Sequence, residues 1–325
     1  MKTRDLILKL LNEQAQITVH DLSLKLRVSR QFVHRLLNEL NDEGSLEIVG
    51  KPPRVYYMLK PKTNTAYVSE LTIEEEQFLK QHFLLVDPLG NLLEGLEAMN
   101  YWCEKQGLPI QKTIAEYIET RKRYLAYYNK EHLIDGTEKL INTKGMQKIG
   151  VDKIYYIDFY AIERFGKTRL GTLMHYAKQG QNKTLMKQIV AEIRQRVFRL
   201  MDEMKIEAVL FVPPTIDRKV QIMKVLQKLL NIGKPSLKIE KIKSPIVVPQ
   251  KALSKIFERI TNAKNTFYVP EQTAYHRILL IDDAIGSGAT INEIALKIRD
   301  KKIAKEIIGL SITGSYEGFE VISEL

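Results

Sequence analysis

One short segment, residues 277–290, narrows the range of folds open to this 325-residue chain more than any other. Its apolar run at 278–281 leads directly into two carboxylates, Asp282 and Asp283. Two glycines follow, and a helix is predicted to begin near Ile291. A strand that ends at polar residues and turns at once into a helix is typical of a parallel sheet in an α/β protein.

The rest of the C-terminal half repeats this alternation. Short apolar runs at 209–212, 278–281 and 307–312 are separated by stretches whose apolar residues have helical spacing. Strands that alternate with helices form parallel sheets with helices on their faces. Residues 151–325 are therefore predicted to form an α/β domain, with a parallel sheet and flanking helices.

The segment after the third strand has the chemistry of a sugar-phosphate site. Glycines let backbone N–H groups approach a phosphate, and a helix N-terminus adds partial positive charge. Adjacent carboxylates repel phosphate, so Asp282 and Asp283 are expected to accept hydrogen bonds from ribose hydroxyls or to hold a divalent cation. The alternative is an acidic strand end followed by an ordinary glycine turn. The predicted substrate-binding residues here are Ala284, Gly286, Ser287, Gly288, Ala289 and Thr290.

These residues resemble the diphosphate-ribose motif of the type I phosphoribosyltransferases, in which a strand, two acids and a Gly-x-Thr loop follow in order. With Pro213 and Pro214 after an earlier strand and a Gln/Leu-Ser/Arg/Asn segment at 250–262, residues 150–315 resemble the ComF-type members. The resemblance implies a type I phosphoribosyltransferase fold that binds phosphoribosyl pyrophosphate with magnesium. The usual zinc module is absent, because Cys103 is the single cysteine, and residues 220–223 replace the usual Arg-Gly-Phe-Asn stretch.

Cations are expected near the pyrophosphate leaving group, because it carries several negative charges. Arg218 and Lys219 are predicted first as catalytic residues beside the two acids, then Lys178 and Arg259 as substrate-binding residues. Each could instead be a solvated surface residue, and the basic stretch 167–199 could instead bind single-stranded nucleic acid. No cage of side chains for a metal is predicted, so magnesium would be bound through the substrate and the two acids. The general-base candidates are Gln250, Glu258 and Asn262.

Residues 1–60 have the pattern of three helices followed by a hairpin, which resembles the winged helix-turn-helix family. Thr18 and Ser29 are predicted N-caps, and Leu22, Leu24 and Leu26 are the expected apolar positions of the second helix. The alternatives are that the whole domain docks another protein and that His34 is a partly buried packing residue. The predicted nucleic-acid-binding residues are Arg30, Gln31, His34 and Arg35 on the third helix and Lys51 and Arg54 on the hairpin.

Residues 61–150 are predicted to be a helical connector or a dimerisation segment, with Thr72 and Glu75 as a capping box. The net charge of +11 favours a polyanionic partner, and no apolar run approaches the length of a membrane span. The chain is expected to be cytoplasmic, without a membrane partner, and to form a homo-oligomer such as a dimer.

Two classes of function remain open from the sequence. In the first, the C-terminal domain is a glycosyltransferase that transfers the phosphoribosyl group, coupled to nucleic-acid binding by the winged helix. Similar fusions occur as effectors in retron-type bacterial defence systems. In the second, the domain binds its ligand without turnover and regulates DNA binding, as the resemblance to the purine repressors of Gram-positive bacteria implies. Whether the protein is an enzyme is therefore not decided by the sequence.

Overall fold

A computed structural model describes residues 3–13, 17–51, 54–59, 71–214, 216, 218–242, 248, 252–253 and 255–317. The chain divides into two compact units, Met1–Ser69 and Glu70–Leu325. Within the described residues, no helix is both long enough and apolar enough to cross a membrane.

The N-terminal unit contains three helices and a two-stranded hairpin, as predicted. Their bounds are α1 Thr3–Glu13, α2 Val19–Leu26, α3 Arg30–Asp42, β1 Leu46–Lys51 and β2 Arg54–Leu59. The Thr18 hydroxyl accepts a hydrogen bond from the N–H of Asp21, and Ser29 does the same for Phe32, which confirms both N-caps.

The apolar positions predicted for α2 are partly wrong. Leu22 is fully buried, but the side chain of Leu24 is 64% exposed. Residues two apart lie on opposite sides of a helix, so an alternating leucine pattern cannot bury every member on one face.

The second unit begins with helices and small hairpins, which are α4 Ile73–His82, β3 Leu84–Val86, β4 Leu92–Glu94, α5 Gly95–Gln106, α6 Ile110–Leu125, β5 Ile134–Asp135 and α7 Thr137–Ile141. It continues with β6 Lys153–Phe159, β7 Ala161–Ile162, β8 Gly166–Lys167, α8 Arg169–Gln179, α9 Lys183–Glu203, β9 Ala208–Phe211 and α10 Ile222–Leu230. It ends with β10 Glu240–Lys241, α11 Ile256–Thr266, β11 Phe267–Tyr268, β12 Tyr275–Ile285, α12 Ala289–Asp300 and β13 Ala304–Gly314.

The central sheet of this unit has five strands in the order β5-β6-β13-β12-β9. Strands β6, β13, β12 and β9 are parallel, and the short edge strand β5 runs antiparallel to β6. The three strands predicted from apolar runs are therefore neighbours in one sheet. A mixed α/β fold with a mostly parallel sheet is confirmed, and the carboxyl ends of β6, β13, β12 and β9 share one edge.

Helices cover both faces of the sheet. On one face, α8, α9 and α10 bury apolar residues such as Leu173, Ile189 and Leu226 against Leu279 and Leu310. On the other face, α12 packs together with helices from the predicted connector.

From Glu70 onward, the predicted connector is thus part of the second compact unit in the structure. Phe83, Met99 and Tyr117 belong to the same apolar cluster as the strand residues Ile154 and Leu280. The connector helices have apolar faces that need a partner, and the sheet offers one. The sequence boundary at residue 150 is therefore not a boundary between compact units.

Candidate functional site

The two carboxylates lie inside β12, close to its carboxyl end. Asp282 pairs in register with Ser311 of β13, and the strand continues until Ile285 pairs with Gly314. Ala284, predicted to begin the loop, is therefore a strand residue. The connection between strand and helix is only Gly286, Ser287 and Gly288, because α12 already begins at Ala289 rather than near Ile291.

Gly288 is the N-cap of α12 and has a left-handed backbone with φ +75°. A Cβ atom at this position would lie 2.4 Å from a methyl group of Leu140 in α7. The N–H groups of the first helical turn have no acceptor within a helix, so they are available to an anion. Gly288, Ala289 and Thr290 all line one cavity together with the two carboxylates.

The ammonium group of Lys178, on the last turn of α8, contacts the carboxylate of Asp283. Arg218 donates to the carbonyl of Lys178 and, at 3.2 Å, to the side-chain oxygen of Gln179. Arg259 of α11 donates from Nε to the carbonyl of Leu253 at 2.8 Å. Lys178 is therefore in contact with the acid pair, and Arg218 and Arg259 line the same cavity.

Asp282 has an unusual protonation equilibrium. Burial, together with the negative charge of Asp283, raises the pKa of Asp282 to about 7. The N–H of Asp283 donates to this carboxylate at 2.8 Å, and the charge of Lys178 also favours the ionised form. The pKa of Asp282 therefore lies near neutral pH, because both burial and the neighbouring negative charge disfavour the ionised carboxylate.

The cavity has a volume of about 530 Å³, and its lining residues are of two chemical kinds. The polar ones are the acid pair, the glycine loop and the cations. The apolar ones are Val212, Pro213, Pro214, Ile216, Ile222 and Met223. The first kind suits a phosphorylated sugar, and the second suits a flat or apolar group.

Most of the predicted site residues converge on this cavity. Those that line it are Lys178, Arg218, Arg259, Asp282, Asp283, Ala284, Gly286, Ser287, Gly288, Ala289 and Thr290. Lys219 is exposed and is not among the lining residues, so its assignment to the site stays a prediction. Of the general-base candidates, Gln250 lies outside the described residues, and Glu258 and Asn262 do not line the cavity.

Several lining residues were not predicted. Tyr160 follows β6, and its hydroxyl is 3.1 Å from Nδ1 of His175. Thr313 and Ser315 lie at the end of β13. All three follow or end parallel strands, so the rule that ligands bind at the carboxyl ends of such strands would have indicated them.

The described residues contain no group of three or more histidine, cysteine, aspartate or glutamate side chains that could hold a metal ion. The acid pair offers two carboxylates, of which Asp283 already contacts Lys178. Magnesium prefers six oxygen ligands, so the pair fits this ion only when a phosphorylated ligand and water supply the remaining oxygens.

The predicted nucleic-acid-binding residues of the third helix lie on the exposed surface of α3 in the N-terminal unit. Arg30, Gln31, His34 and Arg35 are all exposed, so the alternative packing role of His34 is wrong. The Arg30 guanidinium lies 2.6 Å from Nδ1 of His20. Lys51 and Arg54 occupy paired positions at the end of the β1–β2 hairpin.

Comparison with known protein families gives one match, and it covers this unit. Residues 3–58 match a family model described as "HTH domain". No curated protein matches the chain. The N-terminal unit is therefore a helix-turn-helix domain, with α3 in the position of the recognition helix and the hairpin as a wing.

Proposed function

We propose that the cavity of the α/β unit binds a phosphorylated ribose, with phosphoribosyl pyrophosphate as the first candidate. One observation carries this proposal: the acid pair of β12 and the N-terminus of α12 face the same cavity. The helix N-terminus suits the 5-phosphate, and ionised carboxylates suit the hydroxyls of the sugar. The resemblance of residues 150–315 to the type I phosphoribosyltransferases supports the same ligand.

The proposed reaction is transfer of the phosphoribosyl group. A nucleophile forms a bond to C1 of the ribose while the C1–O bond to pyrophosphate breaks, and pyrophosphate leaves with the electron pair. Asp282 and Asp283 hold the sugar in position, and Lys178, Arg218 and Arg259 stabilise charge on the leaving group. Magnesium, bound by substrate oxygens and the acid pair, would supply further positive charge. The apolar lining residues of the cavity would hold the acceptor of the phosphoribosyl group.

A calorimetric titration tests the ligand assignment. Asp282→Asn combined with Asp283→Asn removes both negative charges and replaces one acceptor oxygen of each side chain with an NH₂ donor, and we expect affinity for phosphoribosyl pyrophosphate to fall at least about tenfold. The matched control is Asp202→Asn with Asp300→Asn, because both carboxylates are exposed and do not line the cavity. Unchanged affinity in the first variant would refute the assignment.

A second candidate function is a DNA-binding regulator whose ligand is bound but not converted. The helix-turn-helix match at residues 3–58 favours this reading, because that domain is the class of module that binds operators. In this case, the ligand changes DNA affinity only to the extent that it prefers one conformation over another.

Turnover separates the two candidates. A transferase releases pyrophosphate in molar excess over protein when acceptor bases and nucleotides are supplied with magnesium. A regulator binds one equivalent, releases no pyrophosphate, and alters DNA affinity when occupied. Asp283→Ala is expected to abolish release in the first case and ligand response in the second.

We also propose that the helix-turn-helix domain binds DNA through α3 and the hairpin, as a homodimer on paired half-sites. Arg30→Ala with Arg35→Ala removes two exposed cations from α3 and is expected to weaken binding to duplex selected from random sequence. Lys51→Gln with Arg54→Gln is expected to weaken binding to duplexes of every sequence. The slope of log K against log salt is expected to decrease by the contribution of about two phosphate contacts. If selection from random sequence yields no duplex that binds, the result would favour a domain that docks another protein.

A further inference from the structure

We propose that the exposed surface formed by α9 and α10 is a second nucleic-acid-binding site that takes single-stranded nucleic acid. This basic face is defined by Lys183, Lys187 and Arg194 of α9 and by Lys224 and Lys228 of α10. It belongs to the α/β unit and is separate from the helix-turn-helix domain. The inference does not depend on the ligand proposed for the cavity.

The two helices and their flanks carry a strong excess of positive charge. Residues 183–201 and 218–239 contain eleven lysine and arginine residues and one acidic residue, Glu192. Glu192 already accepts from Arg169 at 3.0 Å, and the next acids along α9 are Asp202 and Glu203 at its end. Such a surface attracts polyanions over a distance of about 8–10 Å at physiological salt.

The charges of both helices lie on one outer surface. Arg194 joins the helices, since its guanidinium donates to the carbonyl of Leu230 at 3.1 Å and to that of Leu229. The opposite sides of α9 and α10 are buried against the sheet through residues such as Ile193 and Leu226. The exposed lysines therefore take no part in the core.

Four of these cations also lack a partner within the described part of the protein. Among the described residues, the ammonium groups of Lys183, Lys187, Lys224 and Lys228 have no ion pair or hydrogen bond, and all four side chains are exposed. Like charges on neighbouring helices repel one another, so their shared surface is stabilised when a chain of phosphates neutralises them.

Two aromatic rings favour a single strand over a duplex. Phe198 of α9 lies beneath Arg194, with 5.6 Å between the guanidinium carbon and the ring centroid. Tyr176, which is 38% exposed, lies on the last turn of α8, just before the turn into α9. Unpaired bases can stack on such rings, whereas the bases of a duplex are already stacked on each other.

The basic face also leads to the mouth of the cavity. Gln181, in the turn that precedes α9, accepts a hydrogen bond at 2.7 Å from the N–H of Val220, which lines the cavity. A strand bound along α9 and α10 would therefore pass next to the opening. Nucleic acid bound in this position would lie close enough to the opening to affect ligand binding in the cavity.

The test uses the full chain and a fluorescent oligothymidylate of about 20 nucleotides, with binding followed by anisotropy over a range of salt concentrations. Lys187→Gln, Lys224→Gln and Lys228→Gln are combined in one variant. We expect affinity to fall at least about tenfold and the slope of log K against log salt to decrease by about 2, since each phosphate contact on a single strand contributes about 0.7.

Two further variants identify the surface. Lys105→Gln, Lys122→Gln and Lys144→Gln remove three exposed lysines elsewhere on the same unit, and single-strand binding is expected to be unchanged. Arg30→Ala with Arg35→Ala is expected to reduce duplex binding and leave single-strand binding intact.

Three results would each overturn the proposal. These are an equal loss in the two lysine variants, an unchanged salt slope in the first, or loss of single-strand binding in the α3 variant. A first variant that weakens duplex and single strand by the same factor would assign the face to duplex backbone instead. All of the substituted side chains are exposed, and circular dichroism of each variant checks that it is folded.

Discussion

At the scale of single residues, the acid pair stores unfavourable electrostatic energy in the folded protein. Asp282 and Asp283 are adjacent on one strand, and Lys178 contacts Asp283 only. Burial and the neighbouring charge raise the pKa of Asp282 from 3.8 to about 7. Positioning two carboxylates next to a ligand thus has a stability cost, which is common at functional sites.

We predict that Asp282→Asn stabilises the protein at pH 8 and has little effect at pH 4. Because the folded state holds this proton more tightly than the unfolded state, stability of the parent protein falls as pH rises from about 4 to about 7. The amide cannot ionise, so the variant avoids this loss, which we expect to be about 1–3 kcal/mol. Urea denaturation at both pH values measures it.

Asp202→Asn is the control for this prediction. Its carboxylate is exposed, so its free energy of unfolding should differ little from that of the parent at either pH. An equal gain for Asp282→Asn at pH 4 and pH 8 would contradict the assigned cause.

At the scale of elements, one buried ion pair attaches α6 to the sheet. Arg121 donates two hydrogen bonds of 3.0 Å to Asp158 of β6, and both side chains are less than one-tenth exposed. The hydroxyl of Tyr128 donates to the same carboxylate at 2.5 Å. The segment predicted as a connector is therefore held to the strand that ends beside Tyr160 in the cavity.

Arg121→Ala is predicted to cost about 3–5 kcal/mol of unfolding free energy, because it leaves the Asp158 carboxylate buried without its cation. Arg123→Ala is the matched control. Arg123 lies on the same helix and pairs with Glu163 at 3.2 Å, but its side chain is 61% exposed. Its loss should cost less than about 1 kcal/mol. Similar costs for the two variants would show that the buried pair has no special role.

The loop before α12 permits a second comparison between similar residues. Gly288→Ala is predicted to lose about 1–2 kcal/mol, because φ is +75° and the new methyl group displaces Leu140. Gly286→Ala adds a methyl group where no atom lies within 4 Å, and a change below about 0.5 kcal/mol is expected. Thermal denaturation of both variants tests this difference, and a larger loss at Gly286 would contradict it.

At the scale of the whole molecule, the two compact units have separate apolar cores. Leu37 lies in the core of the helix-turn-helix domain, and Leu280 lies at the centre of the sheet, each with 0% exposure. The single tryptophan, Trp102, belongs to the second unit, where it packs against Phe165 at 5.6 Å. Its fluorescence therefore reports on one unit alone.

We predict that Leu37→Ala leaves the denaturant midpoint of tryptophan fluorescence unchanged. The part of the circular dichroism signal that comes from the helix-turn-helix domain should be lost at a lower denaturant concentration. Leu280→Ala should shift the fluorescence midpoint, with a cost of about 2–5 kcal/mol for either cavity-forming change. A fluorescence shift in Leu37→Ala comparable to that in Leu280→Ala would contradict independent unfolding.

The local features of both units follow from short stretches of sequence. The caps at Thr18, Ser29 and Thr72 depend on residues three positions apart, so they could be predicted from local spacing. The same holds for the strand that delivers Asp282, because its apolar run is short and ends in polar residues. Lys178 and Arg218 were predicted from the resemblance and the expected charge of the ligand, and both line the cavity.

Contacts between residues that are distant in the sequence depend on how the whole unit packs. Arg218 lines the cavity whereas its neighbour Lys219 is exposed, and no local pattern in the sequence distinguishes the two side chains. The packing of α4–α7 on the sheet depends on contacts that no local pattern specifies, and Leu140 and Gly288, which are 148 positions apart, meet only in the folded unit. Burial and charge proximity set the pKa of Asp282, and both arise only when the strands are assembled into a sheet.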